Sequence, residues 1–213
     1  KVLLVASRSE NVEQRVDVAA LAGLDTKIVD VESYAVERAF QLIVDSLPSQ
    51  PEHVALIDIG HSQTTLYVAK DGDFVYSREQ LFGGAQLTES IQSRYGLTYE
   101  EAMINKRNLT LPDDYHYEVL TPFLDAIVQQ ITRSLQFYFS ASQNHQVDHI
   151  LLGGGTASIP GLASMVEQKL GIRTGIANAF SNMTISNHIN TEMLIMDAPS
   201  LLAACGLALR SFD

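Results

Sequence analysis

The hydrophobic period of this chain changes at residues 46–52 (SLPSQPE), and that change most limits the folds open to it. The segment holds two prolines and reads as a linker. Just before it, residues 34–47 repeat apolar side chains at helical spacing and stop at Pro48. Beyond it come three segments of strand length, residues 54–60, 64–70 and 74–80. Asp71-Gly72, between the last two, is a hairpin-turn signal. Successive strands joined by a tight turn require an antiparallel unit, and its setting among helices makes the class α/β.

The remaining pattern fits that class. Residues 2–6 read as a strand, followed by a helix through Val12, Val16, Ala19 and Ala20 that stops at Gly23. Residues 26–31 read as a further strand. Gly83-Gly84 closes the three-strand unit, and two short helices follow, near residues 87–95 and 99–107. Thr98 and Glu101 have the capping-box spacing for the second. Leu120, Phe123, Leu124, Ile127, Val128, Ile131, Leu135 and Phe139 define a long core helix, with Pro122 in its first turn. Residues 149–152 form a strand running into Gly153-Gly154-Gly155, and a helix starts after Pro160. A strand over 172–177 and an apolar helix over 200–211 complete the chain.

Composition excludes several function classes. Apolar residues make up 46% of the 213 positions, which supplies a sizeable core. The net charge of −11 opposes binding to a phosphate backbone, and no basic cluster offsets it. The run 193–209 is broken by Asp197 and Pro199 and falls short of the ~20 apolar residues of a membrane span. Cys205 is the single cysteine, so no internal disulfide can form, which fits a reducing compartment. His53, His61, His116, His145, His149 and His188 lack metal-ligand spacing. The chain opens on Lys1 rather than Met and enters an apolar run at once, so it reads as a piece of something longer.

Two segments carry candidate chemistry. In Asp58-Ile-Gly-His-Ser-Gln-Thr-Thr65 a carboxylate at a strand end precedes a glycine and then hydroxyls on the next strand. Such a turn can present backbone N–H groups to an anion, with Thr64 or Thr65 donating and Asp58 holding Mg²⁺ through water. An Asp-x-Gly hairpin turn without ligand accounts for the same residues. In Leu152-Gly-Gly-Gly-Thr-Ala-Ser-Ile-Pro-Gly161 the glycines clear space for a flat ring, and a helix N-terminus follows. A tight strand-to-helix turn is the alternative. Neither segment is a Walker A loop or a dinucleotide fingerprint.

In this order the two segments resemble the second phosphate loop and the adenosine loop of the actin-like ATPase superfamily. Val31-Glu-Ser-Tyr-Ala35 and Ala198-Pro-Ser-Leu-Leu-Ala-Ala-Cys-Gly206 resemble its two connecting segments. Phe82-Gly83-Gly84, Arg133-Ser-Leu-Gln-Phe-Tyr-Phe139, Asp148-His-Ile-Leu-Leu-Gly-Gly-Gly-Thr156 and Gly206-Leu-Ala-Leu-Arg-Ser-Phe-Asp213 narrow the resemblance to the PilM family. These are actin-like, FtsA-related proteins of the type IV pilus inner-membrane platform.

The resemblance implies two lobes closing over Mg-ATP, with the chain corresponding to the C-terminal part of such a protein. Residues 1–23 would end the small subdomain 1C. Residues 24–50 and 198–213 would belong to lobe 1A, 51–81 and 118–197 to lobe 2A, and 82–117 to subdomain 2B. Asp58 would act on Mg²⁺, and Gly60, Ser62 and Thr64 on the β/γ-phosphates. Gly154, Gly155 and Thr156 would face the adenosine, with Lys106 near ribose and base. Glu32 falls where some relatives place a group beside the attacking water, although a helix-N-terminal glutamate explains it equally well. The family's first phosphate loop does not occur in the chain, and Met103 stands where many relatives have a ribose-binding Glu.

The family role implied is a cytoplasmic ATP-binding scaffold, at most a slow ATPase, on the inner-membrane platform and serving twitching motility. It grips the N-terminal cytoplasmic tail of PilN, meets other inner-membrane pilus components, and can form homo-oligomers. A cell-division actin homologue and a sugar-kinase-type phosphotransferase are the alternatives. The first carries a C-terminal membrane helix, which is not seen after Asp213. The second needs a substrate base, and residues 58–65 offer only Asp58.

Overall fold

The computed structural model describes residues 5–48, 50–142 and 146–210. Of the expected features, residues 2–4 of the first strand, Ser49 of the linker, His145, and residues 211–213 lie outside the described residues.

Five strands form one mixed sheet: β1 (His53–Ile59), β2 (Thr64–Lys70), β3 (Asp73–Gln80), β4 (His149–Gly153) and β5 (Arg173–Ile176). Their order is β3-β2-β1-β4-β5. The β1–β2 and β2–β3 pairs are antiparallel, whereas β1–β4 and β4–β5 are parallel. The hairpin signal at Asp71-Gly72 is realised as the β2–β3 turn, with both residues at positive φ. Residue-to-residue alternation sorts the side chains of β1 onto two faces. Ala55, Ile57 and Ile59 join one core cluster, while Val54 and Leu56 join the other.

Helices cover both faces. On the first lie α3 (Gly84–Tyr95), α4 (Tyr99–Asn108), α5 (Thr121–Ala141) and α6 (Leu162–Leu170). The core helix α5 buries Phe123, Leu124, Ile127, Val128, Ile131 and Leu135, as its period predicts, with Tyr138 buried in preference to Phe139. Each such side chain removed from water contributes roughly 1.5–3 kcal/mol. A π-helical turn, His116–Leu120, leads into it. On the second face lie α2 (Glu32–Val44) and α8 (Leu202–Ala208).

The crossing of α2 and α8 is set by Gly206. A Cβ there would fall on the Ala35 carbonyl oxygen, so the two backbones touch and no side chain fits between them. Arg38 Nε donates to the Gly206 carbonyl at 2.9 Å. The Arg38 and Arg210 guanidinium groups both hold the Asp30 carboxylate. Burial would raise the pKa of Asp30, but hydrogen bonds from Arg210, the Val31 N–H and Arg38 bring it down to about 2. Asp30 thus fixes the chain two residues before Glu32, where α2 begins.

The N-terminal region departs from expectation. The helical pattern ending at Gly23 is present as α1 (Ser9–Leu21), which buries none of its residues. Residues 26–31, read as a strand, are not one, and neither are Val5 and Ala6. A strand exists by pairing, and no ladder of the sheet includes them; Ile28 and Val29 stay exposed. Conversely, α7 (Thr191–Asp197) forms where no helix is expected, capped by the Asn190 side chain. The helical run Thr191–Ala208 is long and apolar enough to cross a membrane by length and composition alone. It is interrupted by a 3-10 turn, Ala198–Leu201, which contains Pro199.

Candidate functional site

The site forms where β1 and β4 end side by side. Asp58 is opposite Gly153 in the parallel pair and opposite Thr65 in the antiparallel one. Asp58 therefore stands at the carboxyl edge of the sheet, where loops can receive a ligand. In alternation it continues the series Val54, Leu56 and faces the α2 side.

Its surroundings are unusual for a carboxylate. Burial, then the charge of Glu32 at the start of α2, push its pKa up from 3.8 to about 6. The Tyr67 hydroxyl is raised for the same reasons, by burial first and then by Glu32, Asp58 and Glu79. The α2 side of the sheet's end is thus short of positive charge, a setting that favours a bound cation.

Gly154 brings the second loop against the first. Its φ is +80°, and a Cβ there would lie 2.3 Å from the Ile59 carbonyl oxygen and 2.5 Å from Asp58 Oδ1. Only glycine satisfies both the dihedral and the space. Its N–H donates to the Pro199 carbonyl at 2.7 Å, which ties the loop to the turn before α8. Thr156, buried in the 3-10 turn Gly155–Ser158, donates through Oγ1 to the Gly60 carbonyl at 3.1 Å. The two glycine-bearing loops recognised in the sequence are one structure, held by side-chain and backbone contacts.

The other expected residues divide between contact and distance. Ser62 is exposed at the tip of the β1–β2 turn, and Gly155 is exposed beyond Gly154. Thr64 lies on the opposite side of β2 from Thr65, with its hydroxyl given to the Phe82 carbonyl at 2.7 Å. Thr65 is the hydroxyl on the Asp58 side, buried, and hydrogen-bonded to Tyr67. Glu32 is exposed at the first position of α2 and reaches Asp58 through its field.

Lys106, on α4, joins through intermediaries. Its Nζ donates to Thr88 Oγ1 at 2.7 Å, and burial lowers its pKa. Thr88 in turn bonds the Gly84 carbonyl, and the Gly84 N–H donates to Gly60 at 2.9 Å. A Cβ on Gly84 would come within 2.8 Å of Thr156 Oγ1. Lys106, Thr88, Gly84, Gly60 and Thr156 form one chain of contacts, of which Thr88 and Gly84 were not singled out as site residues. No local pattern singles them out, because their contacts depend on how α3 and α4 fold back over the β1–β2 turn.

The arrangement fits a magnesium-bound nucleotide. A raised carboxylate beside a second one can share a divalent ion with phosphate oxygens. Gly154 packs directly on Ile59 and Asp58, and the exposed Gly155 beside it leaves backbone uncovered where a flat ring could rest. Among the described residues no group of three or more His, Cys, Asp or Glu stands ready to hold a metal without such a ligand.

The chain is similar, at 25% identity and a TM-score of 0.81, to a structure described as a PilM-PilN type IV pilus biogenesis complex; 96% of this chain matches 58% of that one. It also matches the ethanolamine utilization protein EutJ from Carboxydothermus hydrogenoformans at 20% identity and a TM-score of 0.65, covering 97% of this chain and 62% of that one. The ADP-bound MreB5 of Spiroplasma citri matches at 17% and 0.58, covering 96% and 64%. The chain spans less than two thirds of each of these proteins. The fold is the actin-like one. The family of type IV pilus assembly protein PilM matches residues 1–212, and the chain belongs to that family.

Proposed function

We propose that the chain is the nucleotide-facing part of a scaffold for type IV pilus assembly. It works at the cytoplasmic side of the inner membrane and holds the N-terminal cytoplasmic tail of a PilN protein. The observation that carries the nucleotide reading is the contact of Gly154 with Asp58, whose carboxyl is raised to about 6. Asp58 would hold magnesium through water. Gly60 and Ser62 would meet the phosphates, with Thr64 bracing the turn from behind. Gly154, Gly155 and Thr156 would form the floor under the adenosine, and Lys106 would approach ribose and base. The magnesium ion would supply the positive charge that offsets Asp58 and Glu32, and phosphate oxygens would complete its coordination.

Residues 51–81 and 118–197 form the lobe that carries these loops, residues 82–117 its outer subdomain, and residues 24–50 and 198–213 part of the facing lobe. Nucleotide acts as a clamp that shifts the population able to hold the PilN tail. Glu32 is the group placed to orient a water; turnover unchanged in Glu32→Ala removes that role.

Calorimetric titration of Mg-ATP tests the reading. Binding in the micromolar range, roughly −8 kcal/mol, and its loss in Asp58→Ala are expected. No heat with the unsubstituted chain, or equal heat with Asp58→Ala, overturns it.

A further inference from the structure

The β1–β2 turn is tied to α4 by a second route, through the histidine that follows Gly60. His61 Nε2 lies 3.0 Å from the Tyr99 hydroxyl, and the two rings meet edge to face at 6.4 Å. In one imidazole tautomer Nε2–H donates to the phenol oxygen; in the other, the phenol O–H donates to Nε2. Tyr99 is the first residue of α4 and is held by a reciprocal cap: Glu101 N–H donates to Thr98 Oγ1, and Thr98 N–H donates to Glu101 Oε2 at 2.8 Å. The phenol is therefore presented from a fixed helix end. The His61 backbone is fixed as well, since its carbonyl accepts the Ala85 N–H at 2.7 Å.

The turn between Asp58 and Thr65 is otherwise exposed at its tip, His61 and Ser62. An exposed tip must be ordered before it can present N–H groups to an anion, and that ordering opposes binding. Resting on the nucleotide reading above, we infer that His61 is a positioning residue. Its bond to Tyr99 holds the tip of the turn in the shape that receives the terminal phosphates of a nucleoside polyphosphate, and thereby couples α4 to occupancy of the turn. Lys106, at the other end of α4, makes the first tie, through Thr88 and Gly84 to Gly60. The helix grips the turn from both of its ends.

The test is a double-mutant cycle on the full chain, with Mg-ATP as the probe. His61→Ala and Tyr99→Phe each weaken binding about three- to tenfold, the range of one hydrogen bond. The double variant is no weaker than either single one, because both remove the same bond. His61→Gln restores binding toward the unsubstituted value, since its amide can reach the phenol. Hydrogen exchange over residues 99–103 slows with Mg-ATP in the unsubstituted chain but not in His61→Ala. Additive losses, affinity unchanged in both single variants, or no rescue by glutamine overturns the inference while leaving the nucleotide reading intact. No binding by the unsubstituted chain overturns both.

Discussion

The two faces of the sheet are built from the same strands and do different work. The face under α3, α5 and α6 is apolar: Ala55, Ile57, Ile59, Leu66, Val68, Ile150 and Leu152 meet helices, and among the described residues no fully buried Asp, Glu, Lys or Arg lies there. The face under α2 and α8 starts in the same way, with Val54, Leu56, Leu151 and Phe40, but ends in Asp58, Thr65 and Tyr67 beside Glu32. A slip of one residue in β1 would exchange the faces. Alternation thus lets a strand stabilise the fold through one face and carry polar chemistry at the end of the other. The polar end lowers stability above the pH at which Asp58 ionises.

The largest effect expected separates the faces by their dependence on pH. Ile57→Ala removes a side chain that is 1% exposed and leaves a cavity among α3, α5 and α6 residues. It should cost about 3–4 kcal/mol of unfolding free energy. Because the residues of that cluster carry no group that titrates between pH 5 and pH 8, the loss should be equal at the two pH values in urea unfolding. A loss that changes by more than ~1 kcal/mol between them would show that the apolar face is coupled to the polar one.

The next effect runs in the opposite direction. Asp58 binds its proton more tightly folded than unfolded, with a pKa of about 6 against 3.8. Its contribution is therefore fully present below about pH 4 and is lost as pH rises through 6. At pH 8 the ionised, half-buried carboxylate costs up to about 3 kcal/mol. Asp58→Asn, uncharged at every pH, should be more stable than the unsubstituted chain by about 2–3 kcal/mol at pH 8. The gain should shrink to near zero at pH 4. Saturating Mg-ATP should reverse the order by stabilising only the Asp58 form. A variant less stable than Asp58 at pH 8 without ligand would mean that the carboxylate has a structural partner.

This contrast also explains what could be read from the sequence. The apolar face was legible because period alone dictates it: the three strands of the hairpin unit, the α5 stripe and the turn at Asp71-Gly72 all follow from local pattern. The two loops were legible through their order along the chain, since either one alone also reads as an ordinary turn. Residues 26–31 misled because alternation promises a strand but only a neighbour makes one, and neighbours are set by tertiary pairing. Thr65 was weighed only beside Thr64 because the hairpin register, Asp58 opposite Thr65, decides which hydroxyl shares a face with the carboxylate. Thr88 and Tyr99 were out of reach, since their roles depend on how α3 and α4 fold back over the β1–β2 turn. Sequence period carries no information about such contacts.

The smallest expected effect isolates the field of Glu32 from the burial of Asp58. Both raise the Asp58 pKa, with burial first. Glu32→Gln keeps the length and shape of the side chain and removes its charge. The Asp58 midpoint, followed by the carboxyl carbon resonance through a pH titration, should then fall below about 6 yet stay above 3.8. The direction follows from Coulomb repulsion between like charges, and the residual elevation from desolvation, which the substitution leaves in place. An unmoved midpoint would mean that α2 contributes only shape to the polar face. A midpoint at the ordinary value would mean that the carboxylate is wetter than its place in the sheet implies. The intermediate result makes the first residue of α2 and the end of β1 a single electrostatic unit, assembled from the two sides of the linker at residues 46–52.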